Sequence, residues 1–136
     1  VKQVFVDSGG FFALLVPQDD SHAAALDVFT RAEVEHWALV TTNIVVIETY
    51  ALLLARTRPG RTAAIGFLDA LQESRVRVER VRSVDEEDAE TLVRTPEDKD
   101  YSLCDALSFV VMERLRIGEA IAYDRNFRQY GRFRIL

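Results

Sequence analysis

An α/β domain with a largely parallel sheet of about five strands and helices on both faces is predicted by three observations. Short apolar, β-branched runs alternate with longer stretches of helical spacing along the whole chain. Turn signals, several of them led by an acidic residue, separate the two kinds of stretch. The 136 residues are 49% hydrophobic and 29% charged, which suits one globular domain, 1–136, able to bury a core.

Val4-Phe5-Val6 reads as a short buried strand, so no secretory leader is expected ahead of it. Ser8-Gly9-Gly10 reads as a turn, followed by the apolar run Phe11 to Val16 and closed by Pro17. Asp19-Asp20-Ser21 opens a helix to about Glu35, with Ala24, Leu26, Val28 and Phe29 as its apolar positions. Trp37 to Val40 is the second strand. Helices follow over Asn43 to Arg56, ended by Arg58-Pro59-Gly60, and over Thr62 to Gln72. Val76, Val78 and Val81, punctuated by charges, make a half-exposed third strand. Asp85 to Arg94 is a short acidic helix stopped at Pro96. Ser102 to Arg116 has the clearest periodicity: Leu103, Ala106, Leu107, Val110, Val111 and Leu115 share one face, and Gly118 is the expected terminator. Glu119 to Tyr123 and Phe133 to Leu136 are the fourth and fifth strands, the last at an edge.

Composition removes several function classes. A formal net charge of -5 argues against large nonspecific affinity for nucleic acid, although bound divalent cations would reverse the local sign of a carboxylate cluster. The single cysteine, Cys104, excludes an internal disulfide and a Cys-based zinc site, and fits the cytoplasm. Two histidines do not suit a His-rich metal site. The weakly charged stretch Trp37 to Ala55 is no membrane span, because Glu48 and Thr41-Thr42-Asn43 interrupt it.

Four acids stand where polar signals meet apolar segments. Asp7 and Asp124 each follow a predicted strand, where ligands bind in open parallel sheets. Each has an alternative role as a turn former, through Ser8-Gly9-Gly10 and Asp124-Arg125-Asn126. Glu48 shares its helix face with Ile44, Ala51, Leu52 and Ala55, so it sits in an apolar stripe and needs a partner. That partner is an arginine elsewhere or a metal ion. Asp105 fits a capping box behind Ser102, a role compatible with also facing a cation. Asp98 and Asp100 read as solvated loop charges, Asp100 close enough to approach the site rim.

Acids in one pocket repel and raise each other's pKa. An oxygen-rich site without Cys or His suits the hard cations Mg²⁺ or Mn²⁺, which activate water and neutralise a leaving oxygen in phosphodiester cleavage. Ser8, Thr42, Asn43 and Ser102 are suitable donors for orienting the carboxylates.

The chain resembles the PIN-domain ribonucleases, and within them the VapC-type toxins of toxin–antitoxin pairs. The resemblance lies in Val4-Phe5-Val6-Asp7-Ser8 followed by Phe11-Phe12-Ala13-Leu14; in Thr41-Thr42-Asn43 and Glu48; in Asp100 to Phe109; and in Asp124-Arg125-Asn126-Phe127. It implies a Mg²⁺- or Mn²⁺-dependent endoribonuclease with Asp7, Glu48, Asp105 and Asp124 as its acidic quartet. Asp7, Glu48 and Asp105 would then hold one ion, directly or through water, with Asp124 completing the site. Many members carry Thr or Ser two residues before the last acid, where this chain has Ala122. The resemblance also implies a homodimer and a small antitoxin whose peptide plugs the site. Arg125 and Arg128 are placed to grip phosphates, with Arg56, Arg58 and Arg61 extending the rim; ordinary surface charge is the alternative for each.

Three other classes compete. A receiver-type signalling domain needs a lysine after a late strand, and the only lysines are Lys2 and Lys99. A dehalogenase-type phosphatase needs Asp-x-Asp after its first strand, which Asp7-Ser8-Gly9 breaks. A non-catalytic protein-interaction module on a degenerate nuclease fold is the remaining alternative.

Overall fold

In a computed structural model, which describes residues 1–95 and 99–136, the chain forms a five-stranded sheet. The strands are β1 (Gln3–Val6), β2 (Ala38–Thr42), β3 (Arg77–Glu79), β4 (Glu119–Ile121) and β5 (Arg134–Ile135). Their order is β3-β2-β1-β4-β5, and every pairing is parallel. The chain therefore builds outward from β1 to β3, then returns to the other side of β1 to lay down β4 and β5. The reversal falls between β1 and β4, which is where an open parallel sheet leaves a crevice at its carboxyl edge.

Helices cover both faces. Successive strand residues point to opposite faces, and Val4, Phe5 and Val6 in β1 are all fully buried. Helix α1 (Ser8–Leu15) follows β1, and α2 (His22–Val34) leads into β2. Helices α3 (Asn43–Arg56) and α4 (Gly60–Glu73) pack along each other; α5 (Ser83–Arg94) packs along α6 (Leu103–Leu115); α7 (Arg125–Tyr130) joins β4 to β5. The main core runs through Phe5, Phe11, Leu53, Phe67, Phe109, Met112, Ile121 and Phe127. Among the described residues no helix is long and apolar enough to cross a membrane.

The structure departs from the sequence expectations in four places. Ser8-Gly9-Gly10 is not a turn but the first turn of α1. Glycine there is explained by packing: a Cβ on Gly10 would stand 2.8 Å from the Ile121 carbonyl oxygen, so glycine lets α1 lie directly on β4. In α2 the inward positions are Ala25, Val28 and Ala32, while Ala24 and Leu26 face outward. Helix α6 ends in a Schellman motif whose left-handed residue is Arg116 (φ 58°), not Gly118. There Ile117 N–H donates to the Met112 carbonyl at 2.9 Å and Ile117 is buried. Finally, Asp124-Arg125-Asn126 opens α7, a helix too short for its periodicity to show. The expected stop at Pro96 and the loop charge of Asp98 lie outside the described residues.

Candidate active site

The carboxyl edge of β1 and β4 collects the start of several helices. Asp7 is the N-cap of α1, Thr42 of α3, Ser102 of α6 and Asp124 of α7. Their unpaired N–H ends turn partial positive charge toward this edge, a setting that favours carboxylates.

Asp7 is pinned by its backbone. Its N–H donates to the Ile121 carbonyl at 3.1 Å, and its own carbonyl accepts from Gly10 (3.0 Å) and Phe11 (3.2 Å). The side chain occupies an N-cap position yet makes no capping bond. Asp7 is 2% exposed, and its Oδ1 is buried without a hydrogen-bond partner. Burial pushes the carboxyl up to about 8; the Ser8 N–H opposes this, and the charges of Glu48, Asp105 and Asp124 add to the rise. The three other acids are thus near enough for their charges to act on Asp7.

Glu48 sits on the second turn of α3, half-buried. It is not inside the core stripe, which is Val45, Thr49 and Leu53; Ala51 and Ala55 on its own side are exposed. The misreading has a physical source. Ile47 and Leu54 are also exposed, so α3 is apolar almost all round and periodicity cannot choose its buried face. No arginine or lysine pairs with Glu48 among the described residues. The Cys104 thiol faces it instead, raised in pKa by burial and then by the Glu48 charge.

Asp105 is buried in the first turn of α6, where its N–H donates to Ser102 Oγ at 3.0 Å. Burial raises its pKa; the Asn126 amide and the Ser102 hydroxyl oppose the rise, while Asp124 and Glu48 support it. Asp124 is exposed at the end of β4, and its Oδ1 accepts from Asn126 N–H at 2.9 Å. Its capping role is realised, and its charge acts on Asp7 and Asp105.

The expected orienting donors divide. Ser102 serves Asp105. Ser8 is buried beside Asp7 and contributes its backbone N–H. Thr42 caps α3, its Oγ1 accepting from Val45 N–H at 3.1 Å. Asn43 is turned elsewhere: its Oδ1 accepts from Val81 N–H at 2.9 Å and ties α3 to the chain beyond β3. Two contributors were missed. Thr41 Oγ1 donates to the Val6 carbonyl at 2.8 Å, bracing β1 just before Asp7. Asn126 Nδ2 donates to Asp105 Oδ2 at 2.9 Å, and only its place two residues after Asp124 signals this in the sequence.

Arg125 and Arg128 are exposed on α7, with no acidic partner among the described residues. Arg56 lies eight residues beyond Glu48 on the same helix, about 12 Å along its axis. A groove of about 1000 Å³ is lined by residues such as Phe11, Leu14, Phe29, Trp37 and Phe67, and none of the four acids borders it.

A hard cation fits this donor set. All four ligand candidates are carboxylates, and one buried oxygen lacks any partner. Among the described residues no group of three or more His, Cys, Asp or Glu side chains is gathered closely enough to hold a metal ion as it stands.

A model of the PIN domain family matches residues 4–133. The chain belongs to the PIN domain family. This PIN domain is 36% identical, over 129 residues covering 94% of each chain, to the 23S rRNA-specific endonuclease VapC20 of Mycobacterium tuberculosis. The crystal structure of that VapC20, a Sarcin-Ricin loop cleaving toxin, superposes on it with a TM-score of 0.83 at 34% identity, covering 94% of this chain and 95% of that one. VapBC2 from Rickettsia felis, crystallised on a DNA fragment from its promoter, matches with a TM-score of 0.68 at 10% identity, covering 98% of this chain and 97% of that one. The second likeness concerns the fold alone.

Proposed function

We propose that this PIN domain is a Mg²⁺- or Mn²⁺-dependent endoribonuclease, the toxin of a toxin–antitoxin pair. The observation that carries this reading is the buried, unpartnered Asp7 Oδ1 facing three further acids with no protein cation among the described residues. Its relation to a named rRNA endonuclease over 94% of both chains supports the substrate class. Asp7, Glu48 and Asp105 would hold the ion directly or through water, and Asp124 would complete the site. The ion supplies water activation and charge neutralisation on the departing oxygen. The protein aligns the acids: β1 and β4 fix Asp7 and Asp124, and the starts of α3 and α6 bring in Glu48 and Asp105. Arg125 and Arg128, exposed just past Asp124, hold the RNA backbone.

The acidic pocket also suits a basic peptide of a small antitoxin, and a second copy of the chain completes the expected assembly in the cytoplasm. The test is cleavage of RNA, including a large-subunit rRNA fragment, by the purified chain with Mg²⁺ and with chelator. Cleavage that persists in chelator, or none in Mg²⁺ after separation from any antitoxin, defeats the reading.

A further inference from the structure

Asn126 touches two of the four acids at once. Its side-chain Nδ2 donates to Asp105 Oδ2 and its backbone N–H donates to Asp124 Oδ1, each at 2.9 Å. Asp105 comes from the start of α6 and Asp124 from the end of β4, so the two arrive from separate parts of the chain. No other hydrogen bond among the described residues links them.

The neighbouring residue fixes where Asn126 stands. Phe127 is fully buried and meets Phe109 of α6 edge-on, with ring centroids 4.9 Å apart; Tyr130 stacks on the same ring at 4.3 Å. These contacts lock α7 to α6, and the Asn126 amide inherits a defined distance to Asp105. The chemistry of the link is also specific. Two carboxylates side by side repel. An arginine between them would neutralise both and compete with a cation. Here the neutral side-chain amide takes one Asp105 oxygen and the backbone N–H of the same residue takes one Asp124 oxygen, which links the two while leaving their charge in place.

We propose that Asn126 is a positioning residue of the nuclease site: it sets the separation and orientation of Asp105 and Asp124 and leaves their other oxygens for an ion and its waters. This rests on the metal-dependent reading above. The test uses Asn126→Ala, with Asn126→Leu as a second variant of nearly native size and Asn126→Gln as the conservative rescue. Mn²⁺ binding is measured by calorimetry without RNA, and kcat and KM are measured with RNA in Mg²⁺. The expected result is Mn²⁺ binding weaker by roughly 10–100-fold in the Ala and Leu variants, the usual cost of losing a residue that orients a ligand. kcat falls with it, KM for RNA stays within about twofold, and Gln regains part of both. Mn²⁺ affinity and kcat unchanged in the Ala and Leu variants overturn the proposal while the nuclease reading stands. So does a lowered Tm with unchanged Mn²⁺ affinity, which marks a purely structural link. A natural chain that neither binds Mn²⁺ nor cleaves RNA overturns both.

Discussion

Two groups of acids in this molecule receive opposite treatment. Glu79 and Asp85, at the far side of the sheet from β4, close on Arg114 of α6. The guanidinium grips Asp85 with two bonds of 2.8 Å and Glu79 with a third of 2.8 Å. Burial raises the pKa of Asp85, but Arg114 and the Arg82 N–H outweigh it and hold it below the ordinary range; Arg114 does the same for Glu79. Asp7, Glu48, Asp105 and Asp124 have no such partner among the described residues, and Asp7 moves the other way, up to about 8. The first group is complete as a structural ion-pair network. The second has no protein counter-charge among the described residues, and the proposed cation site rests on that difference.

The sharpest way to break this contrast is Asp7→Asn. RNA cleavage in Mg²⁺ should drop by more than the roughly 10–100-fold typical of changes one shell out from a metal. Full activity in a gel assay would place the chemistry elsewhere. Next in size is Arg114→Ala, expected to destabilise by about 3–5 kcal/mol, since it strands a buried carboxylate, while Mn²⁺ affinity of the folded protein is kept. Chemical denaturation and calorimetry separate the two readouts.

Metal itself is the third lever. Mn²⁺ at about 100 times its Kd should add about 2.7 kcal/mol to the stability of the natural chain and little to Asp7→Asn. Equal Tm increases in both would show binding outside the acid pocket.

Finally, pH should act on the two groups with opposite sign. Asp7 titrates near 8 when folded and at about 3.8 when unfolded, so the native state holds a proton that the unfolded state has released. The stability contributed by protonated Asp7 is full below about 3.8 and drains away as pH rises toward 8. Glu79 and Asp85 are lowered on folding, so their contribution is present above about pH 4 and is lost as pH falls. In metal-free buffer, urea midpoints should fall on both sides of a maximum. Asp7→Asn, which cannot ionise, should flatten the alkaline side. Arg114→Ala should flatten the acid side. A single flattening shared by both variants would mean that the groups are not independent.

The sequence was most legible where chemistry and local pattern coincide. The bounds of α3 follow from Asn43 and from Arg58-Pro59-Gly60, and Ser102 marks the start of α6 as expected. Asp7 and Asp124 could be singled out because strand ends in a parallel sheet are where ligands bind. Reading failed where the decisive contact was distant. The glycines after Asp7 are explained by the Ile121 carbonyl of another strand. The outward face of α3 carries apolar residues, so Glu48 looked more deeply set than it is. Asn43 was expected to serve the acids but is occupied by Val81 N–H.

The order of the strands and of the longer helices, the supply of carboxylates in place of thiols and imidazoles, and the lack of lysine just after the strands were legible in composition and local pattern. Such properties depend on neighbours in the chain, and neighbours in the chain are visible in a string of residues. Pairing of β1 with β4, the choice of Arg114 for one acid group and, among the described residues, of no protein cation for the other, and the Asn126 link between Asp105 and Asp124 were decided only in three dimensions. Those depend on which residues from remote segments meet, and burial then determines whether a charge is tolerable alone.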